Sequence, residues 1–500
     1  VNQTTSVRAR QLHLLTQDEM IIVLRANCDV CRSEGLASRA RVAVTAGGNT
    51  IIATLYQTDD GWLEPDECGL SESAWIRLEV NAGDNVTIRH APPVESLSAV
   101  RRRIYGGRLD ARAFHDIIAD IVAGRYADVH LATFIAACSA LPLELDEIGH
   151  LTRAMVDTGE RLTWPTPIVA DKHCVGGLPG NRTTPIVVAI CASLGLVMPK
   201  TSSRAITSPS GTADMMETLA PVDLRLADIR RVIEAEGACI AWGGAMRLSP
   251  ADDTLIRVER ALDIDTEGQL IASVLSKKIA AGATHCVLEV PVGPTAKVRT
   301  AEAAGVLCEH ITAIAAQFGL QIRLLVTEGL QPVGRRIGPA LEARDVLAVL
   351  RNEAEAPDDL RRRALQIAAA ALELTGRCES GDGARTAIAA LKDGRAWSKF
   401  AAICEAQGGM RTPPVAPLRR DWLAPHSGVV DHINNRKLSR LAKLAGAPDD
   451  KAAGLELHVR IGDVITAGQP LVTVHAETEG ELGYAMEYAH ANPDMFGLEN

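Results

Sequence analysis

In the N-terminal part of the chain, to about Pro93, apolar and polar positions alternate in short runs: MIIVLRAN (20–27), RVAVTA (41–46), TIIATLY (50–56), WIRLEV (75–80) and NVTIRH (85–90). Turn signals such as Gly47-Gly48-Asn49 and Asp59-Asp60-Gly61 separate them. Short alternating runs between turns predict a small β domain. After Arg101 the period changes. Phe114, Ile117, Ile118, Ile121 and Val122 fall on one face at helical spacing, with Asp110 placed to cap the start and Gly124 to stop the end. Asp128 and Asp146 are expected to cap the next two helices, the second ending near Gly159.

From Pro167 strand-like runs alternate with helical ones. PIVAD leads through a Gly-rich turn to TTPIVVAICASLG, and LVMPK leads through a polar turn to TADMMETLA. Strand, loop and helix in series predict a mostly parallel sheet covered by helices. The Pro-rich TPPVAPLRRDWLAP (412–425) reads as a linker or crossing segment before the last eighty residues. Beyond it, SGVVDHI and LELHVRIGDVITAGQPLVTVHA predict a small β-rich domain.

Composition narrows the class. The 500 residues are 47% hydrophobic and 23% charged, as in a globular chain of several domains. A net charge of −10 gives no general attraction for nucleic acid or acidic membrane, so an anion must be met by local donors. That favours a small phosphorylated ligand. The N-terminus shows no secretory pattern, and the longest apolar run, around Pro185 to Pro199, falls short of a membrane span. A cytoplasmic location is expected. Eleven cysteines, scattered in apolar stretches, read as buried small hydrophobes. Cys28 and Cys31 form a CxxC that no second ligand pair accompanies, so it reads as part of a loop, and no metal site is expected.

Three stretches carry candidate chemistry. DKHCVGGLPGNRTT, Asp171 to Thr184, lies between a predicted strand and a predicted helix. Its glycines let the backbone approach an anion, and the helix start presents free N–H groups with a favourable dipole. Lys172, Arg182, Thr183 and Thr184 add charge and hydroxyls. KTSSRAITSPSGTADMME repeats the arrangement one unit later, at a strand end where open α/β sheets bind ligands. In IRVERALDIDTEGQLIASVLSKKIAAG, Asp265 precedes a helix holding Ser273, Lys277 and Lys278. On its own Asp265 reads as an N-cap and the lysines as a solvated face.

Read together, DKHCVGG, KTSSRAITSPSGTAD, LIASVLSKK and QPVGRRIGPALEA resemble the thymidine and pyrimidine nucleoside phosphorylase family, in order and in spacing. In wording they are most similar to the long branch that includes AMP phosphorylase. The resemblance covers nearly the whole chain. It implies a multidomain α/β protein: an N-terminal β-rich domain over 1–93, a helical domain over 94–160 joined by later helices, an α/β phosphate-binding domain over 161–412, and a C-terminal α+β, β-rich domain over 425–500. It also implies a homo-oligomer with no cofactor, inorganic phosphate being a substrate beside a nucleoside or nucleotide.

Carried over position by position, the resemblance assigns phosphate or substrate binding to Lys172, Gly177, Thr184, Ser202, Ser203, Arg204, Ala205, Ile206, Thr207, Ser208, Thr212, Ser273, Lys277 and Lys297. Asp265 takes the place of the proton donor, with His173 orienting phosphate or sharing that role. Two departures stand out. Cys174 occupies the place where the family commonly has a phosphate-holding serine, and thiols are weak hydrogen-bond partners. Val258 occupies the place of an arginine that hydrogen-bonds a pyrimidine, with Arg257 and Arg260 nearby. The second departure favours a reading in which Lys297 and Arg204 hold a substrate 5′-phosphate. Two rival readings fit less well: an anthranilate phosphoribosyltransferase-like activity, which needs a diphosphate and magnesium site while no acidic pair stands out in the anion loops, and a non-enzymatic carrier role for the C-terminal domain, for which the GDVITAGQPL hairpin has no lysine.

Overall fold

The structure, a computed structural model, describes residues 6–16, 19–205, 208–246, 248–262, 264 and 266–499. The chain divides into two compact units, Val1–Leu141 and Pro142–Asn500.

The first unit opens with a closed six-stranded barrel, in the order Ser6–Gln11, Glu67–Leu70, Ile21–Arg25, Asn49–Thr58, Arg41–Ala46 and Asn85–His90. Alternate residues of these strands turn inward. Val42 and Val44 are fully buried, as are Ile22 and Leu24. WIRLEV departs from the expectation of a strand: Glu72–Leu78 is a helix, capped by Ser71, whose hydroxyl accepts the Ala74 N–H. Ala74 and Leu78 face inward one turn apart, so the helical period wins over the alternating one. The CxxC is likewise no loop. Cys28 caps the helix Asp29–Glu34, its sulfur accepting the Cys31 N–H at 3.3 Å, and both thiols are free and buried.

Three helices complete the unit: Leu97–Ile104, Ala111–Val122 and Asp128–Ala140. Asp110 caps the second as expected, accepting from Ala113 at 2.9 Å. The cap of the third is Ala127, and Asp128 falls in the first turn, where its charge still complements the helix dipole. The Phe114, Ile117, Ile118 and Ile121 stripe is buried.

The second unit begins with the helix Leu145–Asp157, capped by Glu144 rather than Asp146 and packed along Glu267–Ala280. Its sheet is parallel, in the order Gln321–Glu328, His285–Val292 and Ala170–Cys174; Met198–Ser202 and Ala238–Trp242 pair beyond it. Among the described residues a single bridge, Val169 to Val197, links the two groups. Thr183–Ser193 runs through the core, with Ile186 to Cys191 fully buried, so the longest apolar run is a central helix. Among the described residues no helix is long and apolar enough to cross a membrane.

The C-terminal part pairs Arg336–Ile337, Gly454–Leu457, Pro470–Ala476 and Leu418–Leu423 in one sheet and Val464–Ile465, Gly428–Ile433 and Phe496–Glu499 in another. The helices Asn435–Leu444 and Glu479–Ala491 pack on them. The Pro-rich stretch is therefore not a simple linker: between its prolines, Leu418 to Trp422 pairs antiparallel with Val472 to Ala476.

Candidate active site

The C-terminal ends of the parallel strands and the helices that follow them build one cleft of about 260 Å³. Its first wall is the turn after Ala170–Cys174. Gly176, Gly177 and Gly180 have φ of 95°, 82° and 72°, and a Cβ on Gly177 would lie 2.5 Å from the Lys297 backbone nitrogen. Only glycine permits that conformation and that approach together. The second wall is the turn after Met198–Ser202. Asp214, in the first turn of Thr212–Glu217, folds it back by accepting the backbone N–H groups of Ala205 at 2.6 Å and Gly211 at 2.9 Å. The third is the helix Glu267–Ala280, whose cap is Thr266, accepting from Gln269 N.

Beneath the cleft lies a buried ionic floor. Asp171 is shared by Lys278 at 2.8 Å and Lys200 at 3.3 Å. Glu289 is approached by Lys172 at 3.6 Å and Arg363 at 3.1 Å and accepts from Asn181. Lys172 also donates to Thr183 Oγ1 at 2.7 Å. Four basic side chains thus surround two carboxylates, a local excess of positive charge that remains when Lys200 is neutral, within a chain of net charge −10. Burial pushes Lys200 down to about 7, opposed by Asp171 and reinforced by Lys278. Asp171 is held below its ordinary value: burial opposes this, but the two lysines prevail. Burial and then Lys278, Lys200 and Lys172 push His173 well below its ordinary range, so the imidazole is neutral. Burial and the neighbouring Glu289 raise Cys174 to about 12, which keeps it a thiol.

Of the residues expected from sequence, Lys172, His173, Gly177, Thr184, Ser202, Ser203, Arg204, Ser208, Thr212, Ser273, Lys277 and Lys297 all line this cleft. Ala205 does not line it and serves through its N–H to Asp214. Ile206, Thr207 and Asp265 lie outside the described residues, as does the side chain of Arg260. Three assignments look different in three dimensions. The Arg204 fork is occupied by Glu217, at 2.8 Å to each oxygen, and lies 5.0 Å from the Trp242 ring centre, which leaves it poorly placed to grip a substrate phosphate. Ser273 donates to Asp252 at 2.9 Å, and Lys277 pairs with the same carboxylate at 2.7 Å. Val258 is buried; the helix Pro250–Leu262 turns Asp253, Ile256 and Glu259 to the cleft instead, and Arg257 is not among its lining.

Sequence reasoning missed the lining residues Asn181 and Gln269 and the floor residue Glu289, and gave Lys200 no role. Among the described residues three buried polar atoms of the cleft lining lack a hydrogen-bond partner: Asn181 Oδ1, Ser202 Oγ and Gln269 Nε2. Each such group costs about 1–3 kcal/mol. Their concentration in one cleft marks where a ligand supplies the missing partners.

Comparison with known proteins gives the class first. Residues 166–397 match the α/β domain of a glycosyl transferase family, residues 97–159 its helical bundle domain, and residues 429–495 the pyrimidine nucleoside phosphorylase C-terminal domain. Solved anthranilate phosphoribosyltransferases share the fold. The enzyme from Thermus thermophilus has a TM-score of 0.51 at 21% identity, over 62% of this chain and 99% of that one. The enzyme from Saccharomyces cerevisiae has a TM-score of 0.52 at 15% identity, over 63% and 98%. Full-length relatives narrow the class. A protein of Chelativorans sp. named "Putative thymidine phosphorylase" is 62% identical over 99% of this chain and 97% of its own. A protein of Tolumonas auensis with the same name is 59% identical over 99% and 98%. The chain is a pentosyltransferase and belongs to the thymidine and pyrimidine nucleoside phosphorylase family.

Proposed function

We propose that this enzyme splits the N-glycosidic bond of a pyrimidine nucleoside with inorganic phosphate, as the names of its relatives suggest. The observation that carries the reading is the cationic floor beneath a cleft walled by two strand-end turns. A phosphate oxygen bonds to C1′ while the bond from C1′ to the base nitrogen breaks, its electron pair leaving with the base. A proton delivered to the base completes free base and sugar 1-phosphate. The transition state resembles the oxocarbenium ion of glycoside cleavage, which a phosphate held close beneath the sugar stabilises. Asp265 is the proposed acid for the departing base. Neutral His173 is suited to hydrogen-bond phosphate rather than to supply the proton. Phosphate is a substrate here, and the proposal includes no metal or organic cofactor.

The test is base release from a panel of nucleosides and nucleoside monophosphates. Base is expected only when phosphate or arsenate is present; equal release in their absence means hydrolysis and overturns the reading. Lys297, in the lining beside Gly177, favours a second reading in which a nucleoside 5′-monophosphate is the substrate. In that case Lys297→Ala lowers kcat/KM for monophosphates about ten- to a hundredfold and spares nucleosides. Equal effects on both classes, with thymidine the faster wild-type substrate, remove it. Self-association of the chain and a cytoplasmic site of action belong to the same proposal; light scattering of the pure protein and fractionation of cells test them.

A further inference from the structure

Gln269, Ser273 and Lys277 recur every four residues along the helix Glu267–Ala280 and all line the cleft. Ser273 and Lys277 are engaged with Asp252. Gln269 differs. It is only 4% exposed, and among the described residues its Nε2 has no acceptor. Its amide turns the carbonyl end toward Thr266. Thr266 Oγ1 accepts the Gln269 backbone N–H and donates its proton to Gln269 Oε1 at 2.5 Å. The carbonyl end is therefore taken, and the end left without a partner is a pure donor.

Position says what the donor meets. Lys278, on the ionic floor, and Gln269 share this helix, and at about 1.5 Å per residue they stand about 13 Å apart along its axis. That is the reach of a phosphate, a sugar and a base laid in succession from the floor. Leu270 and Val274, also in the lining, offer apolar contact to a flat ring. We infer that Gln269 determines base specificity, donating from Nε2 to a carbonyl oxygen on the edge of the pyrimidine remote from the sugar, so that a 4-keto base is accepted and a 4-amino base is disfavoured.

The inference rests on the phosphorylase reading above and is tested separately from it. Wild type, Gln269→Met and Gln269→Glu are assayed with phosphate on uridine and cytidine, and each is titrated with free uracil and free cytosine. Wild type is expected to prefer uridine and uracil. Gln269→Met loses about ten- to a hundredfold in kcat/KM for uridine, mainly through KM, and leaves cytidine unchanged. Gln269→Glu, which presents an acceptor, moves the preference toward cytosine. Equal losses on both bases overturn the inference, because a merely structural role does not discriminate between them. Should a variant fail to fold, the other variant and the wild-type uracil-to-cytosine preference still decide. No base release by wild type from any pyrimidine nucleoside overturns the nucleoside phosphorylase reading, and this inference with it.

Discussion

Lys200 and Lys278 divide one carboxylate between them, and burial forces the issue of which keeps its proton. Burial lowers Lys278 too, but Asp171 draws it above its ordinary value, while Lys200 is pushed down to about 7. An anion in the cleft favours the protonated form of Lys200, so anion affinity is expected to be highest below pH 7 and to fall as pH rises through that value. Sulfate, whose charge is constant in this range, separates the effect from the titration of phosphate itself. Its inhibition constant, measured from pH 6 to 8, is expected to rise with pH in wild type and to be weaker and flat in Lys200→Met. A steep dependence retained in Lys200→Met assigns the titration elsewhere. Folding stability runs the other way. An unfolded lysine titrates near about 10.4, so the unfolded chain binds more protons above pH 7 and Lys200 favours folding increasingly as pH climbs through that window.

Individual residues were legible in proportion to how local their roles are. Lys172 and Gly177 stand in a turn whose glycines and position after a strand announce an anion site. Asn181 and Gln269 carry no such mark, since what sets them apart is a hydrogen bond left unmade in three dimensions. Glu289 belongs to a neighbouring strand, and only the register of that strand beside Ala170–Cys174 brings it under the first turn.

At the scale of elements, the turns hold the site through backbone conformation as much as through side chains. Gly177→Ala forces a Cβ into a φ of 82° and against the Lys297 backbone, whereas Gly319, at a φ of 70°, has nothing within 4 Å. Strain alone costs about 1–3 kcal/mol. Gly319→Ala is expected to show only that loss in urea unfolding and a normal KM for phosphate. Gly177→Ala is expected to show a larger loss and a raised KM; matching behaviour of the two variants would remove the close approach to Lys297 as the reason for glycine. The strand-helix alternation from Ala170 onward was readable because Gly- and Ser-rich turns set short apolar strand runs apart from the longer helical ones. WIRLEV misled because its bulky residues imitate a strand, although Ser71 ahead of it is a helix start in plain sight. Leu418–Leu423 was hidden by its flanking prolines and by a partner strand some fifty residues away in sequence, at Pro470–Ala476.

At the scale of the whole molecule, every described residue of the cleft lies in the unit Pro142–Asn500, and the barrel and the helices of Val1–Leu141 form a unit with its own core. The ionic floor then has a consequence for the protein as a material. A folded chain that encloses more positive than negative charge is a salt lacking its counter-ion, and inorganic phosphate is the ion expected to complete it. Ligand at a hundred times its dissociation constant stabilises the native state by about 2.7 kcal/mol. In calorimetry the melting of the Pro142–Asn500 unit is therefore expected to rise in phosphate or sulfate and to stay put in chloride at equal ionic strength; a shift that follows ionic strength alone speaks against it. Phosphate scarcity would then act on this enzyme twice, slowing its turnover and shortening its life, since a molecule without its counter-ion opens more often to a protease.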